Sequence, residues 1–380
     1  RTKIRTTALM VCLPLFLTVG TARDVTRIDE NMAVKEESTG HIAWYRPDQK
    51  PFKLYGFKWF ETDQIFRRLP RKSAYGLSRK VNKLANHCAG GQIHFRTDSK
   101  KVLVRAKLPK YTPMYHMAQT GKAGFDAYAG EPGAKIFFGV TKFRDRKHAY
   151  TARVLDNPSG QMTTVTINFP LYNGVNSVEV GLERGARVAA PPPLADDRPI
   201  VIYGTSITQG GCASRPGMAY PNILSRMLNM EVVNLGFSGA GKGEPEIAMH
   251  INDIEDKSLI IIDIECNTHA QLRKVLQPFI KTIRDQDQTT PILVVSRILL
   301  QRDNYPKARQ QRKSLADFQK KLVADLRARG DQNIYFLNGA KLLNPKLAHE
   351  ATVDGTHPTD LGFMMMALSM EPVIRGILEM

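Results

Sequence analysis

The pattern of apolar and polar positions changes character about halfway along the chain. In the first half, short segments alternate apolar and polar residues, as in GQIHFRTDS (91–99) and KKVLVRAKL (101–108). Period-2 alternation bounded by turn residues is typical of half-buried antiparallel strands. Segments 124–140 and 163–183 each predict two more strands around a turn. These features together predict a β-sandwich over residues 51–188.

In the second half, short apolar runs without alternation, such as PIVIYG, EVVNLG and SLIIIDIE, predict strands that are buried on both faces. Segments with helical periodicity lie between these runs, at 219–229, 244–256, 269–285, 306–329 and 358–378. Strands that alternate with helices predict an α/β domain with a parallel sheet over residues 199–380. Ligand sites of such domains lie beyond the carboxyl ends of the strands. The proline-rich segment 189–198 predicts a linker between the two domains.

The first 22 residues have the pattern of a secretory signal peptide. Three basic residues precede the apolar run Ala8–Val19, and the small residues Gly20-Thr21-Ala22 follow it. An apolar run of 12 residues is short for a bilayer span, which makes an uncleaved anchor the weaker interpretation. We therefore expect a secreted or periplasmic protein without stable membrane insertion after cleavage. Residues 23–50 are polar and unpatterned and predict a lead-in segment.

The charge of the chain favours anionic partners. Of its 380 residues, 42% are hydrophobic and 24% charged, as in globular proteins, but the formal net charge is +18. Loss of the basic leader would leave about +15. No nucleic-acid-binding motif is present, so nucleic acid is not an expected partner. An anionic polysaccharide and a generic basic surface are the two interpretations, and the sequence indicates no oligomeric state.

Three cysteines follow the leader, namely Cys88, Cys212 and Cys266. Their spacing matches no zinc motif, so no metal is predicted. An odd count excludes a complete disulfide framework. For Cys212 and Cys266, the sequence leaves two alternatives open, namely a disulfide between them and two buried free thiols.

Five candidate catalytic residues lie at the ends of predicted strands or just before the last helix. Ser206, Gly236 and Asn267 each stand at or just past a strand end, and Asp354 and His357 lie three apart before the last helix. A serine needs a base to become a nucleophile, and an aspartate can orient that base. The backbone N–H groups of Ser206 and Gly236 and the amide of Asn267 are candidate donors to an oxyanion. Each residue alone also fits a turn or a helix cap, but their common placement predicts acyl transfer.

This order of residues resembles the four sequence blocks of the SGNH (GDSL-type) hydrolases. GTSITQG (204–210) is similar to the nucleophile block, with Thr205 where many members carry Asp. The resemblance implies a catalytic triad of Ser206, Asp354 and His357. It also implies an oxyanion hole formed by Ser206, Gly236 and Asn267, and no cofactor. The implied fold is a three-layer α/β/α, flavodoxin-like domain with a five-stranded parallel sheet.

The resemblance extends into the first half of the chain. HMAQTGKAGFDAY (116–128) is similar to the G-x-D-L-Y motif of a small β-domain that precedes a subset of bacterial GDSL-like enzymes, with Ala127 in place of Leu. The predicted sandwich is then a jelly-roll-like domain of that kind. His116 and Arg215 are candidate substrate-binding residues. A histidine that holds a turn and a surface ion pair are the respective alternatives.

Together these features predict a secreted serine esterase that hydrolyses O-acyl esters, O-acetyl esters above all, through an acyl-enzyme intermediate. The expected substrate is an acylated carbohydrate or another small ester. An acyltransferase with the same triad, a lipid esterase and a non-catalytic glycan-binding surface protein are the alternatives. The complete set of triad and oxyanion candidates argues against a non-catalytic protein.

Overall fold

A computed structural model describes residues 29, 32–109, 113–144 and 147–380. The chain divides into two units, residues 1–35 and 36–380, and every described strand and helix lies in the second unit. The predicted signal segment 1–22 lies outside the described residues.

The N-terminal part of the second unit is built from short strands. Within the described residues these are β1 (Ile42–Tyr45), β2 (Lys53–Tyr55), β3 (Gln92–Thr97), β4 (Lys101–Lys107), β5 (Asp126–Ala129), β6 (Ile136–Val140), β7 (Ala149–Asp156), β8 (Thr163–Asn168), β9 (Ser177–Glu183) and β10 (Val188–Ala189). They form two antiparallel sheets, one in the order β1-β9-β4-β7 and one in the order β10-β3-β8-β5-β6 with β2 beside β3. Both sheets contribute to one apolar core, with Phe95 and Ile167 from one sheet and Val104 and Val180 from the other. Two sheets packed on a shared core form the predicted β-sandwich.

The C-terminal part is built on a parallel sheet. Its strands are β11 (Asp196–Gly204), β12 (Met230–Gly236), β13 (Leu259–Asp263), β14 (Ile292–Val295) and β15 (Ile334–Leu337). Their order is β12-β11-β13-β14-β15, which is the flavodoxin-like order with its switch point between β11 and β13. Ile200 and Ile202 of β11 belong to one apolar cluster, and Val201 and Tyr203 belong to another. Burial on both faces explains why these strands lack alternation in the sequence.

Helices cover both faces of the parallel sheet and confirm the three-layer α/β/α fold. The described helices are α1 (Phe60–Asp63), α2 (Arg79–Leu84), α3 (Gln119–Ala123), α4 (Ser206–Gln209), α5 (Tyr220–Leu228), α6 (Pro245–Asn252), α7 (Glu265–Thr268), α8 (Leu272–Arg284), α9 (Pro306–Ala328) and α10 (Asp360–Leu378). Helices α5 and α10 pack on one face, and α6, α8 and α9 pack on the other. Among the described helices, α10 alone has the length and apolar composition of a membrane span. Its side chains Phe363, Met366 and Met370 are buried in the core, which is the behaviour of a core helix.

Two predicted boundaries differ from the structure. Strand β1 lies inside the predicted lead-in 23–50 and pairs with β9, with Ile42 opposite Glu183. Strand β11 begins at Asp196, inside the predicted linker 189–198, because Asp196 already pairs with Met230. The sandwich therefore starts before residue 51, and the segment between the two parts is shorter than predicted.

The buried Arg68 links the sandwich part to the parallel sheet. Its Nη1 donates to the carbonyls of Asn234 (3.0 Å) and Gly236 (2.6 Å) at the end of β12. Its Nε and Nη2 donate to His87 and Leu84 on the sandwich side. Burial lowers the pKa of Arg68 to about 9. The buried guanidinium donates hydrogen bonds to four backbone carbonyls, which hold it in place. Through Arg68 the sandwich part therefore fixes the end of β12, which borders the site.

Candidate active site

Ser206 is the first residue of α4 and follows the end of the central strand β11. The Thr205 hydroxyl caps α4 by accepting the N–H of Ile207 at 3.3 Å, a role that suits threonine as it suits aspartate. A Cβ on Gly204 would lie 2.0 Å from Thr208 Oγ1, so only glycine lets α4 return this closely to the strand. On the sandwich side, the Tyr172 hydroxyl donates to the Ser206 carbonyl at 3.1 Å. The serine is thus held on a tight turn at the end of the sheet.

The structure brings Ser206, His357 and Asp354 together. His357 Nε2 lies 2.9 Å from Ser206 Oγ, and His357 Nδ1 lies 2.8 Å from Asp354 Oδ2. The second carboxylate oxygen accepts the N–H groups of Thr356 (3.0 Å) and His357 (2.8 Å). The turn between aspartate and histidine therefore fixes the imidazole so that Nε2 faces the hydroxyl. This is the arrangement in which a histidine can remove a serine proton.

The surroundings of Asp354 favour its ionised form. Burial raises the pKa of this carboxyl, but the hydrogen bonds from the His357 backbone and ring, the imidazole charge and the Thr356 N–H outweigh that effect. The net pKa of Asp354 lies below its ordinary value. An ionised carboxylate at this place stabilises a positive charge on His357.

The prediction that Gly236 offers a free N–H is wrong. That N–H donates to the side-chain oxygen of Asn234 at 2.8 Å. A Cβ at Gly236 would lie 2.3 Å from the backbone nitrogen of Gln209, so the glycine is needed where α4 crosses β12. Gly236 is therefore a residue of close packing rather than a donor to a ligand.

The loop after β12 offers a different donor. Hydrogen bonds engage the N–H groups of Phe237, Ser238, Ala240, Gly241, Lys242 and Gly243. The Gly239 N–H has no partner within the described part of the chain, and its residue is half-buried with a φ of +63°. The N–H of Ser206 also has no partner there. Sequence reasoning missed Gly239 because two glycines share the segment GFSG, and only the contact with Asn234 distinguishes them.

Asn267 lies in α7, just past β13, and its side chain reaches the same loop. Its Nδ2 donates to the carbonyl of Ala240 and lies 3.4 Å from that of Phe237. Glu265 steadies α7 because its Oε2 accepts the backbone N–H of Arg297 at 3.0 Å. The structure thus places Asn267 beside the Gly239 loop, and its role as an oxyanion donor stays a prediction.

His116 comes from the sandwich part and lies against the serine–histidine–aspartate group. Its ring centre is 5.3 Å from that of His357, and its Nε2 is 4.0 Å from Asp354 Oδ2. Tyr115, which is 91% exposed, stacks on the His116 ring at 4.4 Å. His116 Nδ1 is buried and has no hydrogen-bond partner within the described residues, so nothing described there supports a turn-holding role. The sandwich therefore contributes a side chain to the crevice.

Arg215 is held by the sandwich part, and its predicted role in substrate binding stays a prediction. Its Nη1 donates to Asp126 Oδ2 (2.9 Å) and to the Tyr128 hydroxyl (2.5 Å). Its guanidinium also lies 3.7 Å from the centre of the Phe137 ring. This group is committed to the fully buried Asp126, so Arg215 fastens the loop after Ser206 to the sandwich. The alternative of a surface ion pair does not describe this contact, because Asp126 is fully buried and Arg215 is only 19% exposed.

Cys88, Cys212 and Cys266 are free thiols. Neither Cys212 nor Cys266 is in a disulfide, and of these two free thiols Cys212 is buried as predicted and Cys266 is half-buried. Burial, with a smaller contribution from Asp354, raises the pKa of Cys212 to about 12. Burial likewise raises the pKa of Cys266 above its ordinary value. Both groups are protonated thiols at neutral pH.

Comparisons with known proteins agree with this geometry. Residues 197–375 match the GDSL-like lipase/acylhydrolase family, and residues 42–188 match GxDLY, the N-terminus of the SGNH-hydrolase type of esterase. The crystal structure of a protein from Bacteroides ovatus, assigned as a GDSL-like lipase, is 31% identical, has a TM-score of 0.80 and aligns over 89% of this chain and 98% of its own. No protein with a curated description matches the chain significantly.

Two more distant structures share the fold. The salicylyl-acyltransferase SsfX3 from a tetracycline biosynthetic pathway is 20% identical with a TM-score of 0.68, over 90% of this chain and 99% of its own. A family two carbohydrate esterase from Clostridium thermocellum, in complex with cellohexaose, is 15% identical with a TM-score of 0.53, over 77% of this chain and 93% of its own. The chain therefore belongs to the GDSL-like lipase/acylhydrolase family, carries the GxDLY N-terminal domain of SGNH-type esterases and is an ester-hydrolysing enzyme.

Proposed function

We propose that the protein is a serine esterase that hydrolyses O-acyl esters, O-acetyl esters on carbohydrate above all, through an acyl-enzyme intermediate. The continuous hydrogen-bonded path from Asp354 through His357 to Ser206 carries the proposal. The 2.9 Å separation of His357 Nε2 and Ser206 Oγ is within the reach that proton transfer requires.

In the first half-reaction, Ser206 Oγ attacks the ester carbonyl carbon while His357 Nε2 takes the hydroxyl proton. The carbonyl oxygen becomes an oxyanion that the N–H groups of Ser206 and Gly239 stabilise. Asp354 stabilises the imidazolium that forms. His357 then gives its proton to the leaving alcohol oxygen, the ester C–O bond breaks, and the acyl group stays on Ser206.

In the second half-reaction, water replaces the alcohol. His357 takes a proton from this water as its oxygen attacks the acyl carbon. The tetrahedral intermediate collapses, the bond to Ser206 Oγ breaks, and the serine regains a proton from His357. The products are the free acid and the free enzyme, so no cofactor enters the balance.

A cavity that borders the loop of Asp354 suits a hydroxyl-rich substrate. It has a volume of about 340 Å³ and is lined in part by Thr352 and by Gly355, the residue after Asp354. Gln301, Asn304 and Arg309 are among the polar residues that line it. We infer that this cavity holds the sugar part of the substrate, because amide and guanidinium groups suit hydroxyl oxygens. A structure of the same fold contains a bound cello-oligosaccharide, which supports the same class.

We also propose that the enzyme works outside the cytoplasm on a polysaccharide. The leader-like segment 1–22 supports export, and the net charge of +18 supports an anionic polymer.

The proposal is tested by hydrolysis of p-nitrophenyl acetate, butyrate and octanoate by the wild type, by Ser206→Ala and by the control Ser369→Ala. Ser369 donates to the Leu342 carbonyl, away from the site. We expect acetate to be the best substrate and Ser206→Ala to lose at least about 10³-fold in kcat, as removal of a triad member does. Ser369→Ala is expected to match the wild type.

Other results have definite meanings. An active Ser206→Ala contradicts the nucleophile. A preference for octanoate replaces carbohydrate deacetylation by lipid ester hydrolysis. Transfer of the acetyl group to added sugar in preference to water identifies an acyltransferase. Release of acetate from acetylated xylan or mannan then tests the polymer directly.

A further inference from the structure

Three side chains with soft metal-binding atoms meet beside Ser206. His116, Cys212 and His357 each offer one ligand atom, and these atoms lie within 4.8 Å of one another. Imidazole nitrogen and thiolate sulfur are preferred ligands of Zn²⁺. In a tetrahedral zinc site such atoms lie about 3.4–3.6 Å apart, so shifts of about 1 Å would close this set. We propose that His116, Cys212 and His357 form an inhibitory site for Zn²⁺ or a similar thiophilic divalent cation.

The three ligands come from separate loops that the structure fastens together. The Cys212 N–H donates to the carbonyl of Pro358, next to His357, at 3.2 Å. The Ser214 N–H donates to Asp360 Oδ1 at 2.8 Å, and the Thr120 hydroxyl donates to the Ser214 carbonyl at 2.5 Å. The loop of Cys212 is thus tied to the segment that follows His357 and to α3, which begins three residues after His116.

His357 already has the environment of a zinc ligand. Its Nδ1 is bonded to the Asp354 carboxylate at 2.8 Å, which directs Nε2 outward. A carboxylate on the far nitrogen is the usual partner of a metal-binding histidine, because it fixes the ring and raises its basicity. The geometry that prepares His357 to accept a proton therefore also prepares it to accept a metal ion.

The other two ligands are free to bind. His116 Nδ1 is buried without a hydrogen-bond partner within the described residues. Cys212 is a buried free thiol whose sulfur makes no hydrogen bond in the part of the chain that the structure describes. On binding, the Cys212 thiol releases its proton to solvent and the thiolate and the two imidazoles donate lone pairs to the cation. Water or Ser206 Oγ completes the fourth position.

The bound cation would stop ester hydrolysis. It occupies His357 Nε2, the atom that must take the Ser206 proton. Inhibition therefore rests on the proposed function, whereas binding of the ion does not. Mg²⁺ and Ca²⁺ prefer oxygen ligands and are not expected to compete.

Binding is tested first with Co²⁺ as a spectroscopic probe on the full chain. We expect a thiolate-to-Co²⁺ charge-transfer band, the visible bands of tetrahedral Co²⁺, and displacement of both by one equivalent of Zn²⁺. Ser206→Ala should keep these signals although it is inactive, so binding is tested apart from the proposed function. Absence of the charge-transfer band in the wild type overturns the site.

Inhibition is then measured by comparing the activity of each variant with Zn²⁺ to the activity of the same variant without Zn²⁺. Cys212→Ser and His116→Asn should each weaken Zn²⁺ binding by at least ~10-fold, since loss of a group that only hydrogen-bonds to a metal ligand already costs this much. Cys266→Ser, which removes a thiol one residue before Asn267, should leave Zn²⁺ binding unchanged. Unchanged Zn²⁺ affinity in Cys212→Ser, or loss of the band in Cys266→Ser, would overturn the assignment. Strong inhibition by Mg²⁺ would do so as well.

Discussion

Two aspartates in this molecule each hold a basic side chain, and their surroundings differ. Asp126 is fully buried in the sandwich and accepts hydrogen bonds from Arg215, the Gly217 N–H and Asn168 at 2.8–2.9 Å. Asp354 keeps 22% of its side chain exposed, and its partner His357 turns a second nitrogen toward Ser206.

The difference in surroundings distinguishes a structural ion pair from a reactive one. Both carboxylate oxygens of Asp126 accept hydrogen bonds, and the guanidinium of Arg215 packs against the rings of Tyr128 and Phe137, so this pair holds two segments together. The Asp354–His357 pair ends in a crevice, against a hydroxyl that it can deprotonate. The role of an aspartate that is paired with a basic side chain is thus ambiguous until the other contacts of that side chain are known.

The largest expected effect is on the Asp354 side of this comparison. Asp354→Asn should lower kcat by about 10³–10⁴-fold, because the amide stabilises the wrong tautomer of His357. The melting temperature should change little, since the carboxylate is partly solvent-exposed. Steady-state kinetics and thermal melting of the same sample check this, and a large loss of stability with little loss of kcat would reverse the two roles.

The converse effect is expected for Asp126→Asn. Loss of the carboxylate leaves Arg215 largely buried without its counter-charge, which should cost about 3 kcal/mol of unfolding free energy. The kcat of the folded protein should fall far less than in Asp354→Asn. Urea unfolding measures the cost. Asp285→Asn breaks the exposed pair with Lys281 and is the control, expected to cost less than about 1 kcal/mol.

A smaller effect on activity is expected at Asn267, whose amide donates to the Ala240 carbonyl in this structure. Asn267→Ala should lower kcat by about 10²-fold with little change in KM, if its amide turns to the oxyanion in the transition state. Asn252→Ala removes an amide that donates to Thr282, away from the site, and serves as the control. A changed KM or melting temperature with an unchanged kcat would mean that Asn267 only stabilises the loop that contains Gly239.

The smallest effect concerns a third aspartate that sharpens the contrast. Asp263 is buried like Asp126, but its described partners are the hydroxyls of Thr208 and Tyr220, each at 3.2 Å. Burial raises its pKa to about 6, against about 4 in an unfolded chain. The folded state therefore favours the protonated carboxyl, and stability is lost as the pH rises from about 4 to about 6.

Asp263→Asn, which mimics the protonated carboxyl, should remove that loss. Urea unfolding is expected to show a variant more stable than the wild type by on the order of 2 kcal/mol above pH 7 and equal to it below pH 4. Equal stability of the two proteins at pH 8 would contradict the raised pKa.

Much of the fold follows from local patterns. Apolar runs such as Ile200–Tyr203 predict the parallel strands, because burial on two faces leaves a direct record in the chain. Alternation predicts β3 and β4, although all residues of β3 except Arg96 are buried. Strand β1 (Ile42–Tyr45) escaped prediction, since four residues in a polar segment carry little pattern and only the pairing with β9 defines them.

The site was predictable only where its signal is local. Asp354 and His357 lie within one turn, and Ser206 follows a strand. The sheet topology therefore predicts that these three side chains contact one another, as they do. The choice between Gly236 and Gly239 depends on where the Asn234 side chain points. The convergence of His116 and Cys212 on His357 joins loops far apart in sequence, which no motif spacing records.

The most direct test of the central claim is covalent labelling. The wild type, Ser206→Ala and Asp126→Asn would be treated with a fluorophosphonate and analysed by intact mass and peptide mapping. We predict one phosphonyl adduct per chain, on Ser206, in the wild type and in Asp126→Asn, and none in Ser206→Ala. An adduct on another residue, or equal labelling of Ser206→Ala, would contradict the assignment of Ser206 as the nucleophile.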